Sequence, residues 1–370
     1  MVSPPTLYGL AEEIGELMGD RTATHSKAVL CGYYGKGNGG DEALLATLLQ
    51  MLPPTVQPIV LSGNPRDTFE RYQVETCDRT SAFRILEALQ QSDYFIWGGG
   101  SLMQDVTSLV SPIYYGGLMA LAQQRGLKTI AWAQGIGPLG RPFTQWLTRQ
   151  VLEGCHAVSV RDAASAQLLS QWGMNAALAP DPVWALEDTS PPYSPPSDSP
   201  IIAVNLRPHP TLTQKRLKHL TQALARLQAA TESLILFVPF QKSQDLPLAE
   251  AIAPQLPGKH QILTLEDPRQ LKGLFKQVQF TIGMRLHSLI MAAAQASPCF
   301  ALSYDPKVTQ LMHSLNLPGW ELSQLPDDAN TLYETWLTHY HAKTPLNPNK
   351  IQALCDAARL HQQLLWQVID

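Results

Sequence analysis

Short apolar runs alternate with longer stretches whose apolar positions recur at helical spacing, and the alternation persists through most of the chain. The first convincing strand is residues 28–34 (AVLCGYY), which runs into a glycine-rich turn and a helix over 41–52. Further strands are expected at 58–61, 94–97, 128–133 and 156–160, with helices over 79–91 and 112–125, another before 156, and one opening at Arg161-Asp162 and ending near Gly173. Runs that are apolar throughout, such as YFIW at 94–97, predict strands buried on both faces, and strand–helix alternation predicts a parallel sheet covered on both sides.

Residues 189–200 (TSPPYSPPSDSP) interrupt the pattern with almost nothing to bury, as a linker would. Beyond them it restarts, with strands expected at 201–206, 234–238, 261–265, 280–282 and 298–303 and helices over 212–230, 246–256, 269–278 and 289–296. Helices are also expected over 6–18, 332–341 and 349–368; in the last, Ile351, Leu354, Ala358, Leu365 and Val368 form a stripe suited to packing back across both halves. The expected organisation is therefore α/β: an amino-terminal domain over 1–188, a linker over 189–200 and a carboxyl-terminal domain over 201–370.

Composition narrows the function. The 370 residues suit two domains, and a net charge of −4 argues against a general nucleic-acid binder. Five dispersed cysteines without a CxxC pair read as reduced thiols of a cytoplasmic protein, and no clustered His/Asp/Cys set suggests a metal. The first 20 residues place Glu12, Glu13 and Glu16 in their apolar stretch, unlike a signal peptide, and no run reaches the roughly 18 to 20 apolar residues of a membrane span. The expected location is the cytoplasm, with at most peripheral contact at the inner face of the membrane.

The chemistry concentrates at strand ends. Gly283-Met284-Arg285-Leu286-His287-Ser288 joins a strand to a helix, where Arg285 can clasp a phosphate or carboxylate, free helix N–H groups add donors, and His287 can exchange a proton near neutral pH. No Asp or Glu occurs between Pro268 and Tyr304, so the interval is positive, and Arg207 and Lys307 are expected on the same sheet edge. The plainer reading is that Arg285 pairs with a distant carboxylate and His287 is a satisfied buried histidine. Residues 35–40 (GKGNGG) meet the G-x-G-x-x-G spacing, but Asp41 and Glu42 follow where a pyrophosphate would lie, and the next strand ends without an acid for a ribose. A hydroxyl-rich ligand suits Asn38 and Asp41 better, unless Asp41 merely caps its helix. Gly98, Gly99, Gly100 and Ser101 end another strand and would admit a ligand, with Asp105 beside the gap, unless Asp105 is a solvated loop acid.

Taken together, GYYGKGNGGDEALL, WGGGSLMQD, AQGIGP, Arg161-Asp162, GMRLHSLIMAAA and SYDPKV resemble the polysaccharide pyruvyl transferase family, and its CsaB-type members linked to cell-surface polymer anchoring in particular. The resemblance runs from about Ala28 to Val308. It implies a fold similar to the two-domain GT-B glycosyltransferases, with two Rossmann-like domains facing a central cleft. It further implies phosphoenolpyruvate as co-substrate, no cofactor, and a sugar acceptor that becomes a cyclic pyruvate ketal in cell-wall polysaccharide biosynthesis, the acceptor being a lipid-linked N-acetylated amino sugar such as N-acetylmannosamine. By similarity Arg285 and His287 match the Arg-Leu-His donor site, Arg207 a second donor arginine, and Asp105 an acid of the amino-terminal half; His287 and Asp105 would share the acid–base work. One departure is Arg207-Pro208-His209-Pro210, where many members carry an aromatic. The alternatives are a GT-B glycosyltransferase using a nucleotide sugar, and a non-catalytic polysaccharide-binding protein.

Overall fold

The computed structural model describes residues 26–106, 108–196 and 198–369; the helix expected over 6–18 lies outside them. The amino half runs β1 (Ser26–Cys31), α1 (Gly39–Met51), β2 (Val56–Ser62), α2 (Pro65–Tyr72), β3 (Glu75–Asp78), α3 (Ala82–Gln90), β4 (Tyr94–Trp97), α4 (Val110–Gln124), β5 (Lys128–Gln134), α5 (Pro142–Glu153), β6 (Ala157–Val160), α6 (Ala163–Gln171) and β7 (Ala177–Leu178). The carboxyl half continues with β8 (Ile201–Asn205), α7 (Gln214–Thr231), β9 (Leu234–Phe237), α8 (Lys242–Ile252), β10 (His260–Ile262), α9 (Pro268–Leu274), β11 (Phe280–Gly283), α10 (Leu286–Ala294), β12 (Cys299–Ser303), α11 (Pro306–Leu315) and β13 (Gly319–Glu321). A tail of α12 (Ala329–Ala342), α13 (Pro348–Ala358) and α14 (Leu360–Ile369) follows.

Every strand pairs in parallel, in the orders β3-β2-β1-β4-β5-β6-β7 and β10-β9-β8-β11-β12-β13. Each order reverses once, between β1 and β4 and between β8 and β11, and crevices for ligands open at the carboxyl ends of strands at such points. The central strands β4, β8, β9, β11 and β12 are buried at every position, as their apolar runs predict.

Some elements escaped the hydrophobic pattern. β3 buries only Cys77, β7 is two exposed residues, and α11 begins on Pro306 behind an Asp305 cap in a stretch read as a strand exit. The helix expected over 349–368 is two helices, divided at Arg359.

The halves share packing as well as a covalent link. One apolar cluster joins Ala43, Leu44 and Ala46 of α1 to Phe240, Leu271, Leu274 and Met291 of the carboxyl half. Gly39 N–H donates to the Phe240 carbonyl at 2.6 Å, and the buried Lys272 ammonium donates to the carbonyls of Val183, Trp184 and Leu186. In the tail, α12 packs on α7, whereas α14 crosses to the amino half, where Leu365 and Ile369 join Leu30, Leu45 and Trp132.

Candidate active site

Two helix N-termini from opposite halves meet at the switch points. Asn38 caps α1 by accepting from Gly40 N–H at 3.0 Å, and this junction lies against Arg285 and His287 at the start of α10. The approach is close enough that a Cβ on Gly40 would stand 2.2 Å from His287 Nδ1, so only glycine fits there. Around them a cleft of about 550 Å³ is lined by Asn38, Asp41 and Ser101 from the amino half and by Arg207, Arg285, His287 and Lys307 from the carboxyl half. That volume is ordinary for a small-molecule site.

Arg285 is fixed by its neighbours. Its Nε and Nη2 bond both oxygens of Asp245 at 2.7 and 2.6 Å, Gln241 and Gln244 flank Nη2 at 3.3 and 3.2 Å, and its backbone N–H reaches Asn205 Oδ1. Asp245 in turn accepts from the backbone of Phe240 and Gln241. Among the described residues nothing takes up Nη1, which keeps part of the guanidinium available to a ligand. Arg285 does pair with a distant carboxylate, as the plainer reading held, and it lines the cleft as well. The acid-free interval is likewise a property of sequence only, because α8 brings Asp245 into it.

His287 Nε2 is buried 3.4 Å from Asp181 Oδ2 but is not aligned as a hydrogen bond, so the histidine is not simply satisfied. Asp181 also takes a 2.6 Å contact from Arg161, with both side chains almost fully buried. Burial alone would raise the Asp181 carboxyl, but Arg161 and then His287 hold it well below the usual carboxylate range. Asp41 goes the other way: burial raises it, opposed by His287, Arg161, Arg285 and Lys307. Asp41 is therefore a carboxyl facing four cationic or ionisable groups. Lys307 donates to Ser101 Oγ at 2.6 Å, and burial, then Arg161, lower its ammonium. Arg207 lies over the Tyr304 ring at 4.5 Å and donates to its hydroxyl at 3.0 Å, leaving a buried Nε without a partner among the described residues.

Two expectations require correction, and one alternative falls away. Asp105 is not among the cleft-lining residues: its carboxylate accepts from Gly140 N–H, Arg141 N–H and Thr144 Oγ1 at 2.8, 2.9 and 2.6 Å, closing the start of α5. These bonds, led by Gly140, also lower its carboxyl. Gly99 does not open the backbone to a ligand; a Cβ there would meet Leu44 at 2.8 Å, and one on Gly98 would meet the Tyr34 hydroxyl at 1.6 Å, so these glycines admit packing partners. Gly100 alone of the three has a positive φ (+133°) and neighbours Asp41. Finally, Asn38 caps α1, which excludes the plain capping reading of Asp41.

Arg161 was visible in sequence as the opening of a helix after a strand, and the fold adds its contact to Asp181. Asp181 itself, between two prolines after a two-residue edge strand, gave no periodic signal. Among the described residues no three His, Cys, Asp or Glu side chains converge as metal ligands. The glycine turn is also internally committed, since Glu42 accepts from Gly35 N–H at 2.8 Å.

The profile of a family described as polysaccharide pyruvyl transferase matches residues 38–306. No curated protein sequence matches the chain. Among solved structures, a UDP-GlcNAc 2-epimerase from Methanocaldococcus jannaschii is similar with a TM-score of 0.61 at 11% identity, over 92% of this chain and 99% of that one. An S. aureus MnaA–UDP structure gives 0.58 at 11% identity over 92% and 97%. Anabaena HepE in complex with UDP-glucose gives 0.55 at 13% identity over 93% and 97%. Such likeness is one of fold, and it agrees with the two facing parallel sheets: the arrangement is GT-B-like.

Proposed function

The chain belongs to the polysaccharide pyruvyl transferase family, and from that premise we propose that its cleft joins phosphoenolpyruvate to a sugar diol as a cyclic pyruvate ketal, releasing phosphate. The observation that carries the reading is the weighting of the cleft: Arg207, Arg285 and Lys307 line one wall, where Asp305 is spent capping α11, and Asn38, Asp41 and Ser101 line the other, where the cation Arg161 is taken up by Asp181. Phosphoenolpyruvate brings a phosphate and a carboxylate, and charge-assisted contacts to fixed cations contribute roughly 1.5 to 3 kcal/mol each. Arg207, Arg285 Nη1 and Lys307 are the donors offered to it. The polyol belongs on the opposite wall.

The reaction needs a proton on the methylene carbon, attack of one hydroxyl oxygen on the adjacent carbon, and displacement of phosphate by the second hydroxyl oxygen. Of the two hydroxyl protons, one is balanced by the new methyl group and the other leaves with phosphate. In this proposal Asp181 steadies His287 from the Nε2 side, which leaves Nδ1, beside Gly40, to deliver the proton. Asp41, rather than Asp105, accepts the hydroxyl proton: it is the amino-half acid on the cleft wall, and its raised carboxyl suits a base that must later release the proton. The acceptor follows the CsaB-type resemblance, a lipid-linked N-acetylated amino sugar such as N-acetylmannosamine, used at the cytoplasmic face of the membrane for a cell-surface polymer.

The test is phosphate release from phosphoenolpyruvate with lipid- or diphosphate-linked N-acetylamino sugars, with mass spectrometry of the product. Acceptor-dependent release with a ketal product is expected. Arg207→Ala should raise the KM for phosphoenolpyruvate by about 10- to 100-fold, the loss of one charge-assisted contact. Consumption of a nucleotide sugar with phosphoenolpyruvate untouched would replace this reading with glycosyl transfer.

A further inference from the structure

Most of the large apolar side chains left exposed among the described residues gather on one edge of the amino half. Helices α3, α4 and α5 cover the same sheet face, following β3, β4 and β5, so all three begin at the carboxyl edge of that sheet, beside the cleft. Each presents bulky apolar groups to solvent near its start: Phe83 in α3 (75% exposed), Val110 (73%) and Ile113 in α4, and Phe143 and Trp146 (57%) in α5. Val106, on the loop before α4, is 70% exposed. Isolated exposed hydrophobics are ordinary; three neighbouring helix starts that all carry them form a surface with a purpose.

The charges around it point to the occupant. Lys36, Arg79, Arg84 and Arg141 rim this edge against Asp78, Glu87 and Asp105, the last with its carboxylate taken up at the start of α5, in a chain whose net charge is −4. Arg79 is stacked within 5.0 to 5.7 Å of the rings of Tyr33, Tyr114 and Tyr115. Aromatic and aliphatic side chains ringed by Lys and Arg are what an anionic lipid interface binds, with Trp and Tyr at headgroup depth. Between α3 and α4 lies a largely apolar groove of about 640 Å³ that shares Tyr33, Ser108, Ser111 and Tyr115 with the cleft wall.

We propose that this edge docks the protein on an anionic phospholipid bilayer, with the groove leading from the bilayer to the cleft. The docking stands on the surface alone; use of the groove by an acceptor's lipid chain rests on the function proposed above.

Flotation of the full chain with phosphatidylcholine vesicles, with and without phosphatidylglycerol, tests the docking without any substrate. Binding should require phosphatidylglycerol and weaken as salt rises. Phe83→Ser combined with Trp146→Ser should lower vesicle partitioning about tenfold or more, while thermal unfolding and turnover of a soluble acceptor are unchanged. Binding that ignores these substitutions, or no binding to either vesicle, overturns the proposal. So does concentration-dependent self-association of the parent chain that the same substitutions abolish, since the face would then meet a second copy. A protein that binds vesicles but releases no phosphate would refute the proposed reaction and leave the docking intact.

Discussion

Asp41 and Asp105 differ in what their carboxylates touch, and that difference separates chemistry from scaffolding. Asp105 closes the start of α5 through three hydrogen bonds, so Asp105→Ala should cost ~1 kcal/mol of stability, as the loss of a helix-end carboxylate does, and leave turnover nearly intact. Asp41 faces Arg285, His287, Arg161 and Lys307. Asp41→Asn should keep the fold and phosphoenolpyruvate affinity but reduce kcat by on the order of a hundredfold or more, within the range for losing a general base. Steady-state kinetics and thermal unfolding of both variants decide the assignment; the reverse pattern would return Asp105 to the reaction. Arg285 and His287 were legible because a strand, a cation and a helix start are consecutive in sequence. Their partners were not, because Asp245 comes from α8 and Asp181 from the segment after β7, and no local spacing announces a contact made only when two sheets assemble.

Helix α1 does two jobs at once. Its inner face packs against α9 and α10 of the other half, and its first turn offers Asp41 to the cleft while burying Glu42. Burial pushes the Glu42 carboxyl up from 4.5 to about 7, against the Gly35 hydrogen bond that lowers it. Between those values the folded chain keeps a proton that the unfolded chain has shed, so the stability Glu42 contributes is complete below 4.5 and is lost as pH rises through about 7. Glu42→Gln keeps an acceptor for Gly35 without a charge to bury. It should raise the Tm above about pH 8 and do little near pH 4; an equal effect at both would reject burial as the cause. The alternation of strands and helices was readable because β4, β8 and β11 are buried on both faces and so carry unbroken apolar runs. β3 and β7 lie at or near the edge of their sheet and bury too little to leave such a trace.

The molecule is bound together by parts that belong to one half in sequence and the other in space. His361 shows how well fitted the crossing is: Ser159 Oγ accepts from Ala133 N–H, so its hydroxyl proton points to His361 Nδ1, and His361 Nε2–H donates to the Pro180 carbonyl. Burial pushes this imidazole from 6.5 down to about 4, so it is neutral in the fold. Between those pH values the unfolded chain binds a proton that the folded one lacks, and stability falls as pH drops through that window. His361→Gln should flatten this part of the pH dependence, read from unfolding curves between about pH 7 and pH 4; an unchanged slope would reject the assignment. The same docking governs the order of assembly during translation. Trp132 Nε1 bonds the His361 carbonyl, Tyr94 the Ile369 carbonyl, and Trp366 the Met51 carbonyl. Residues 360–369 leave the ribosome after both sheets, so the amino half, made first, holds Trp132 and Tyr94 uncovered until the carboxyl half has been synthesised. Nascent chains stalled before residue 360 should therefore expose one greasy flank to chaperones, and the earliest domain to emerge is the last to be sealed.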